Sequence, residues 1–190
     1  MDEDAQIVGA TPSDRQEASS DRQEALRPPA IRVGLGYDTH RLGDGGPLRL
    51  GGIDIPSQWH AIGHSDADVL LHAIVDSLLG AARLGDIGRL FPDTVAENRG
   101  RNSAEFLLAA IDRVREAGWE VINLDCVVLA QLPKLSPHIE LICQRIAEIT
   151  GLSPEQIGLK GKTGEQVGPV GRHEAIEARV VCLLWRPIPL

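Results

Sequence analysis

The sequence predicts an α+β protein, a single domain whose mixed sheet of four strands carries helices packed on one face, with a small strand pair beside it. Three observations carry that prediction. Strand-like runs alternate with segments of helical apolar spacing from Ile31 onward, glycine-rich turns separate them, and 190 residues suffice for one domain with its own core.

The first 30 residues stand apart. "SDRQEA" occurs at 13–18 and again at 20–25, and the segment holds seven acids and three arginines, −4 of the chain's −8. With so few apolar residues it cannot offset its ordering entropy, so 1–30 reads as a disordered acidic extension. A transit peptide is basic and poor in acids, and this segment is neither. The domain spans 31–190.

Within that domain, "IRVGLGYD" and "PLRLGGIDI" read as strands joined by a turn at "GDGGP". A helix follows over about Asp66–Leu79, and a second over about Ala104–Ala117, with Ser103 as N-cap and Gly118 as stop. "WEVINLDCVVLAQ" reads as a strand. Ser136-Pro137 opens a third helix that ends near Gly151, and "IGLKGKT" and "EAIEARVVCLLWR" close the sheet.

Composition excludes several functions. A net charge of −8 and 3% aromatic residues argue against a nucleic-acid surface, and no apolar run reaches membrane-spanning length. Cys126, Cys143 and Cys182 are scattered, with no C-x-x-C and no signal peptide. They read as reduced core thiols of a cytoplasmic protein.

The first helix holds the chemistry. Residues 63–80, "GHSDADVLLHAIVDSLLG", have buried-helix spacing yet carry two histidines and three aspartates. Ser65 and Asp68 form an S-x-x-D capping box, which accounts for part of the acid content. At 100° per residue Leu70, Leu71, Ile74, Val75 and Leu78 share one side, while Asp68, His72 and Asp76 form a stripe on the other with Ser65 above it. That stripe is either a solvent face or one wall of a site. In "GYDTH", Asp38 and His40 are two apart and so share a strand face. Together with His72 they make an oxygen–nitrogen set suited to catalytic zinc with a fourth position open. Asp76 is either a solvated acid or a partner that orients a ligand histidine. His138 reads as structural, Lys134 as a loop lysine or a nucleotide contact, and Arg172 as a partner of Glu174 or another acid. His60 and His173 have no partner that the sequence names.

Those blocks resemble the 2-C-methyl-D-erythritol 2,4-cyclodiphosphate synthase family of the non-mevalonate isoprenoid pathway. The likeness lies in "GYDTHRL" (36–42), "GGIDIP" (51–56), "HSDADVLLHAIVDSLLGAARLGDIGRLFPDT" (64–94), "AQLPK" (130–134) and "KTGEQVGPVGRHEAI" (162–176). The resemblance implies zinc at Asp38, His40 and His72, and phosphate held by His64 and Ser65 at a helix N-terminus. It implies a substrate-holding loop of Asp86, Ile87, Gly88, Phe91, Pro92 and Asp93, and cytosine recognition by Ala130, Pro133, Lys134 and Leu135. Thr163 and Glu165 match residues at the diphosphate, the glutamate binding a second divalent cation, magnesium or manganese. Thr39, Lys162, Gly164 and Arg172 complete the implied substrate contacts, and His64 and Thr163 are the implied catalytic pair. It further implies a homotrimer with active sites between subunits and a CDP-linked methylerythritol phosphate substrate. Lys162, Gln166, Pro169, Ala175, Leu35 and Thr39 depart from what members commonly carry. Without the resemblance, the residues alone also allow a zinc phosphohydrolase, or a non-catalytic trimer that binds a nucleotide or prenyl diphosphate.

Overall fold

The computed structural model describes residues 30–92 and 94–186. The predicted 1–30 extension therefore lies almost wholly outside the described residues, as does Asp93.

Strand β1 (Ala30–Asp44) is the longest, and its neighbours β4 (Trp59–Ile62) and β7 (Ala175–Arg186) both pair with it antiparallel. Beyond β7 lie β5 (Glu120–Leu129), antiparallel to it, and β6 (Ile157–Lys162), parallel to β5. The sheet is thus mixed, with the order β4-β1-β7-β5-β6 and five strands where four were expected. The added strand is β4, four residues too short for a legible alternation, which pairs with the C-terminal end of β1. A small strand pair is present, but "PLRLGGIDI", read as one strand after "IRVGLGYD", is two strands folded on each other and not paired with β1. β2 (Leu48–Leu50) and β3 (Ile53–Ile55) form a hairpin across Gly51 and Gly52, whose φ angles of 61° and 79° need residues free of a Cβ penalty.

Three long helices cover one face of the sheet: α1 (Val69–Ala82), α3 (Ser103–Glu116) and α4 (Ile139–Thr150). Short turns α2 (Ile87–Leu90) and α5 (Gly168–Gly171) sit in the loops. Two helix starts differ from expectation. The cap of α1 is Asp68, not Ser65, and that of α3 is Asn102, with Ser103 as its first residue. The Asp68 carboxylate accepts from Leu71 N and the Asn102 carbonyl from Ala104 N, while Ser65 Oγ accepts from Ala67 N outside the helix and Ser103 Oγ turns to Asp66. A 3-10 turn over Ser136–His138 precedes α4.

α1 is buried on nearly all sides, between the sheet and α3, so its polar residues do not form a solvent stripe. It lies against β1 at Gly34 and Gly36. A Cβ at Gly34 would fall 1.9 Å from the Ser77 carbonyl oxygen, and one at Gly36 would fall 1.8 Å from that of Ala73. These two glycines set how close the helix comes to the strand.

The opposite sheet face carries Ile31, Val33, Leu35, Val181 and Trp185, all exposed, with Ile31 opposite Trp185 and Leu35 opposite Val181. No helix among the described residues is long and apolar enough to cross a membrane.

Candidate active site

Alternation along β1 puts Gly34, Gly36, Asp38 and His40 on the face toward α1. Because the glycines admit the helix so closely, His72, at the end of its first turn, reaches the same point. Asp38 Oδ2 lies 3.0 Å from His72 Nδ1 and 3.1 Å from His40 Nε2, and the two nitrogens are 3.1 Å apart. The three ligand atoms form a nearly equilateral triangle. Tetrahedral zinc with bonds near 2.0–2.1 Å has ligand atoms about 3.3 Å apart, so the donor set fits a divalent ion of this kind with one face open. His40 Nδ1 lies 3.1 Å from the Ile62 carbonyl oxygen; its N–H donates there, and Nε2 is left as the ligand atom. The short strand β4 therefore has a purpose at the site, since it supplies that carbonyl.

The electrostatics suit a cation. Burial alone would raise the pKa of Asp38, but hydrogen bonds and charge from His40 and His72 overrule it and hold the carboxyl below its usual range. Burial pulls His40 down, yet the bond and charge of Asp38 leave its pKa raised.

Beside the triangle opens a cavity of about 320 Å³ whose walls include His64, Ser65, Ile87, Gly88 and Phe91, all named from the sequence. Asn98 and Phe106 also line it and were not foreseen. The Phe106 ring stacks on Phe91 at 4.3 Å, and Asn98 Nδ2 donates to the Pro92 carbonyl at 2.8 Å. An aromatic on a helix at core spacing gives no sign that it faces a ligand. Asp86 caps α2 by accepting from Arg89 N at 2.8 Å. Among the described residues Asp76 is not a hydrogen-bond partner of His40 or His72; its Oδ1 accepts from Ile87 N at 2.8 Å and tethers this loop to α1.

One expectation is corrected. His64 and Ser65 do not stand at an open helix N-terminus, since α1 begins at Val69 and the buried Asp68 carboxylate takes the N–H of Leu71. Ser65 instead places its Oγ 3.0 Å from His72 Nε2.

A second cavity, of about 160 Å³, sits at the C-terminal ends of β5 and β6 and is walled by Ala130, Pro133, Lys134, Leu135, Lys162 and Thr163. Ala130 N donates to the Lys162 carbonyl at 2.9 Å, closing the two strands together. Thr163 Oγ1 donates to Glu165 Oε1 at 2.6 Å, with Gly164 between them, and Glu165 is exposed and outside the Asp38–His40–His72 group. No residue lines both this cavity and the one at the triangle. Thr39, on the opposite face of β1, belongs to a third hollow with Arg41 and His173. Arg172 pairs with Glu174 through Nε at 2.9 Å and Nη2 at 3.0 Å, as one of its two readings held. His173 stacks on Trp59 at 4.7 Å, and His60 Nδ1 lies 3.0 Å from the Gly45 carbonyl.

Residues 31–185 match the family model described as the YgbB family, and a Rhodopirellula baltica protein named 2-C-methyl-D-erythritol 2,4-cyclodiphosphate synthase is 58% identical over 160 residues. The chain belongs to that synthase family. The alignment with the Rhodopirellula baltica synthase covers 84% of this chain and 96% of the relative. A Chromobacterium violaceum synthase of the same name is 56% identical, over 81% of this chain and 98% of its own. Among solved structures, the Plasmodium falciparum IspF CDP complex superposes with a TM-score of 0.75 at 36% identity, over 85% of this chain and 100% of that one. Family membership extends across both cavities and leaves only the two ends of the chain unmatched.

Proposed function

We propose that this chain catalyses the reaction for which its relatives are named. It converts 4-diphosphocytidyl-2-C-methyl-D-erythritol 2-phosphate into 2-C-methyl-D-erythritol 2,4-cyclodiphosphate and CMP. The observation that carries this reading is the Asp38–His40–His72 triangle at the wall of a cavity, in a chain 58% identical to a synthase over most of its length.

In this reaction an oxygen of the 2-phosphate bonds to the β-phosphorus, and the bond from that phosphorus to the bridging oxygen breaks. CMP leaves with the electron pair, and no water is consumed. Both reacting groups belong to one molecule, so no serine or cysteine nucleophile is needed. Holding them in line is worth on the order of 7–11 kcal/mol. When bound, zinc at Asp38, His40 and His72 and a second divalent cation at Glu165 supply positive charge to the crowded phosphate oxygens. His64 and Thr163 donate to phosphate oxygens as charge shifts toward the leaving group. Ser65 contacts phosphate beside His64, while Asp86, Ile87, Gly88, Phe91, Pro92 and Asp93 hold the methylerythritol part. Ala130, Pro133, Lys134, Leu135, Lys162 and Gly164 hold the cytidyl part, with Thr39 and Arg172 as outlying contacts.

The active form is a homotrimer whose sites lie between subunits. Two observations support it: the exposed apolar row on β1 and β7, and the separation of the two cavities within one chain. Residues 31–190 are the catalytic domain and 1–30 an extension, a division supported by the family match beginning at Ile31. The three free, buried thiols support a reducing compartment such as the cytoplasm.

The test is turnover of the cytidyl-diphospho substrate in ¹⁸O-labelled water with zinc and magnesium. Unlabelled cyclic diphosphate plus CMP is expected. A labelled open-chain product means hydrolysis instead, and tight binding without turnover means a binding protein.

A further inference from the structure

Resting on the reading of Asp38, His40 and His72 as the metal centre, we propose that Ser103 and Asp66 are positioning residues that lock His72 in its metal-binding tautomer. Both act through His72 and neither borders the triangle itself.

The inference follows from counting protons. His72 turns Nδ1 toward Asp38 and His40, and on the other edge of the ring Nε2 lies 2.8 Å from Ser103 Oγ. The same Ser103 Oγ is in close hydrogen-bond contact with Asp66 Oδ1. A carboxylate has no proton to give, so the Ser103 hydroxyl donates to Asp66. That leaves Ser103 Oγ only lone pairs to offer His72, and a bare Nε2 would set its own lone pair against them at 2.8 Å, so Nε2 carries the ring proton. Ser65 Oγ, 3.0 Å from the same nitrogen and 3.5 Å from Ser103 Oγ, then stands as its second acceptor. A neutral imidazole protonated on Nε2 has its free lone pair on Nδ1, the atom that faces the triangle.

The carboxylate is itself held. Asp66 Oδ2 accepts from Ser103 N at 3.1 Å, Oδ1 accepts from Asp68 N at 3.4 Å, and Arg49 Nε of β2 lies 3.6 Å from Oδ2. Ser103 has no exposed surface, so water does not compete for its hydroxyl. Contacts therefore run from Arg49 through Asp66 and Ser103 to His72, tying the hairpin and the first turn of α3 to one imidazole. The arrangement mirrors His40, whose Nδ1–H is taken by Ile62 so that Nε2 faces the metal position.

The test uses the full chain and reads zinc affinity, by competition with a chromophoric chelator, in Ser103→Ala, Asp66→Asn and Ser103→Thr. In Asp66→Asn the new amide donates to Ser103 Oγ, which turns the hydroxyl proton toward Nε2 and moves the ring proton to Nδ1, where it blocks the metal. Ser103→Ala and Asp66→Asn are expected to bind zinc roughly 10–100-fold more weakly, while Ser103→Thr stays near wild type. In zinc-loaded wild type, ¹⁵N-edited NMR is expected to show a protected His72 Nε2–H that Ser103→Ala loses. Unfolding midpoints of the metal-free variants separate this effect from general loosening, and Asp66→Asn carries the test if Ser103→Ala does not fold. Equal affinities in all variants overturn the proposal, as does a Ser103→Thr as weak as Ser103→Ala, or an unchanged Nε2–H. A wild-type chain that takes up no zinc overturns the metal reading beneath it. Zinc bound equally by wild type and variants overturns the relay alone.

Discussion

Asp68 has no exposed surface and directs both carboxylate oxygens at the backbone. Its Oδ1 accepts from Gly51 N at 2.9 Å and Leu71 N at 3.1 Å, and its Oδ2 accepts from Gly52 N at 2.7 Å. One side chain thus caps α1 and pins the β2–β3 turn to it. Asp68→Asn replaces one acceptor with a donor that faces a buried N–H, and a loss of about 1–3 kcal/mol in urea unfolding is expected. A variant as stable as wild type would mean that the turn finds other partners. The thiols give a second expectation at this scale. Burial pushes the Cys126 thiol up to about 12 and also raises those of Cys143 and Cys182. The folded protein should therefore leave a thiol reagent unreacted at pH 8, with all three cysteines modified once it is denatured. The sequence identified Asp38, His40 and His72, because strand alternation and a helical histidine are local signals. It misassigned Asp68 for a physical reason. Four-residue spacing puts Asp68 in line with His72 only if both are helical, and Asp68 is the cap, one residue before the helix begins.

The contact between α1 and β1 depends on two missing side chains. Gly36→Ala would drive a Cβ to 1.8 Å from the Ala73 carbonyl, next to His72, so the helix must lift from the strand. A cost of about 1–3 kcal/mol or more is expected, together with weaker zinc binding, since the triangle opens as α1 moves. Gly80 provides the contrast within the same helix, because an added Cβ there meets nothing within 4 Å and its φ is ordinary. Gly80→Ala should raise stability by up to about 0.5–1 kcal/mol, measured by the same urea titration, and leave zinc affinity unchanged. If Gly36→Ala and Gly80→Ala behave alike, close approach is not what matters at Gly36. Most elements were legible, since long periodic runs such as 104–117 and 175–186 declare themselves. β4 was not, because the four residues "WHAI" show no polar–apolar alternation in sequence and pair only through their position beside β1. Ser103 was read as a cap because its residue type favours caps, but Asn102 takes that place and leaves the serine hydroxyl to donate to Asp66 and its oxygen to accept from His72.

Across the whole molecule, the exposed row of Ile31, Val33, Leu35, Val181 and Trp185 lies on one sheet face, and the proposed trimer would cover it. Light scattering on the purified chain is expected to return the mass of a trimer, and a monomer at micromolar concentration would remove the intersubunit reading of the site. This level of organisation is the least legible in a sequence. Alternation marks those residues as one face of a strand but cannot tell a face covered by helices from one left for another chain. The separation of the two cavities has a genetic corollary. In the proposed trimer each chain lends its histidines to one site and its Thr163 loop to another, so damage to the two is borne by different neighbours. Two inactive alleles, His72→Ala and Thr163→Ala, should then complement when expressed together. Random mixing in equal amounts rebuilds about one site in four from intact halves. A chain whose sites were self-contained would give a mixture as dead as either parent.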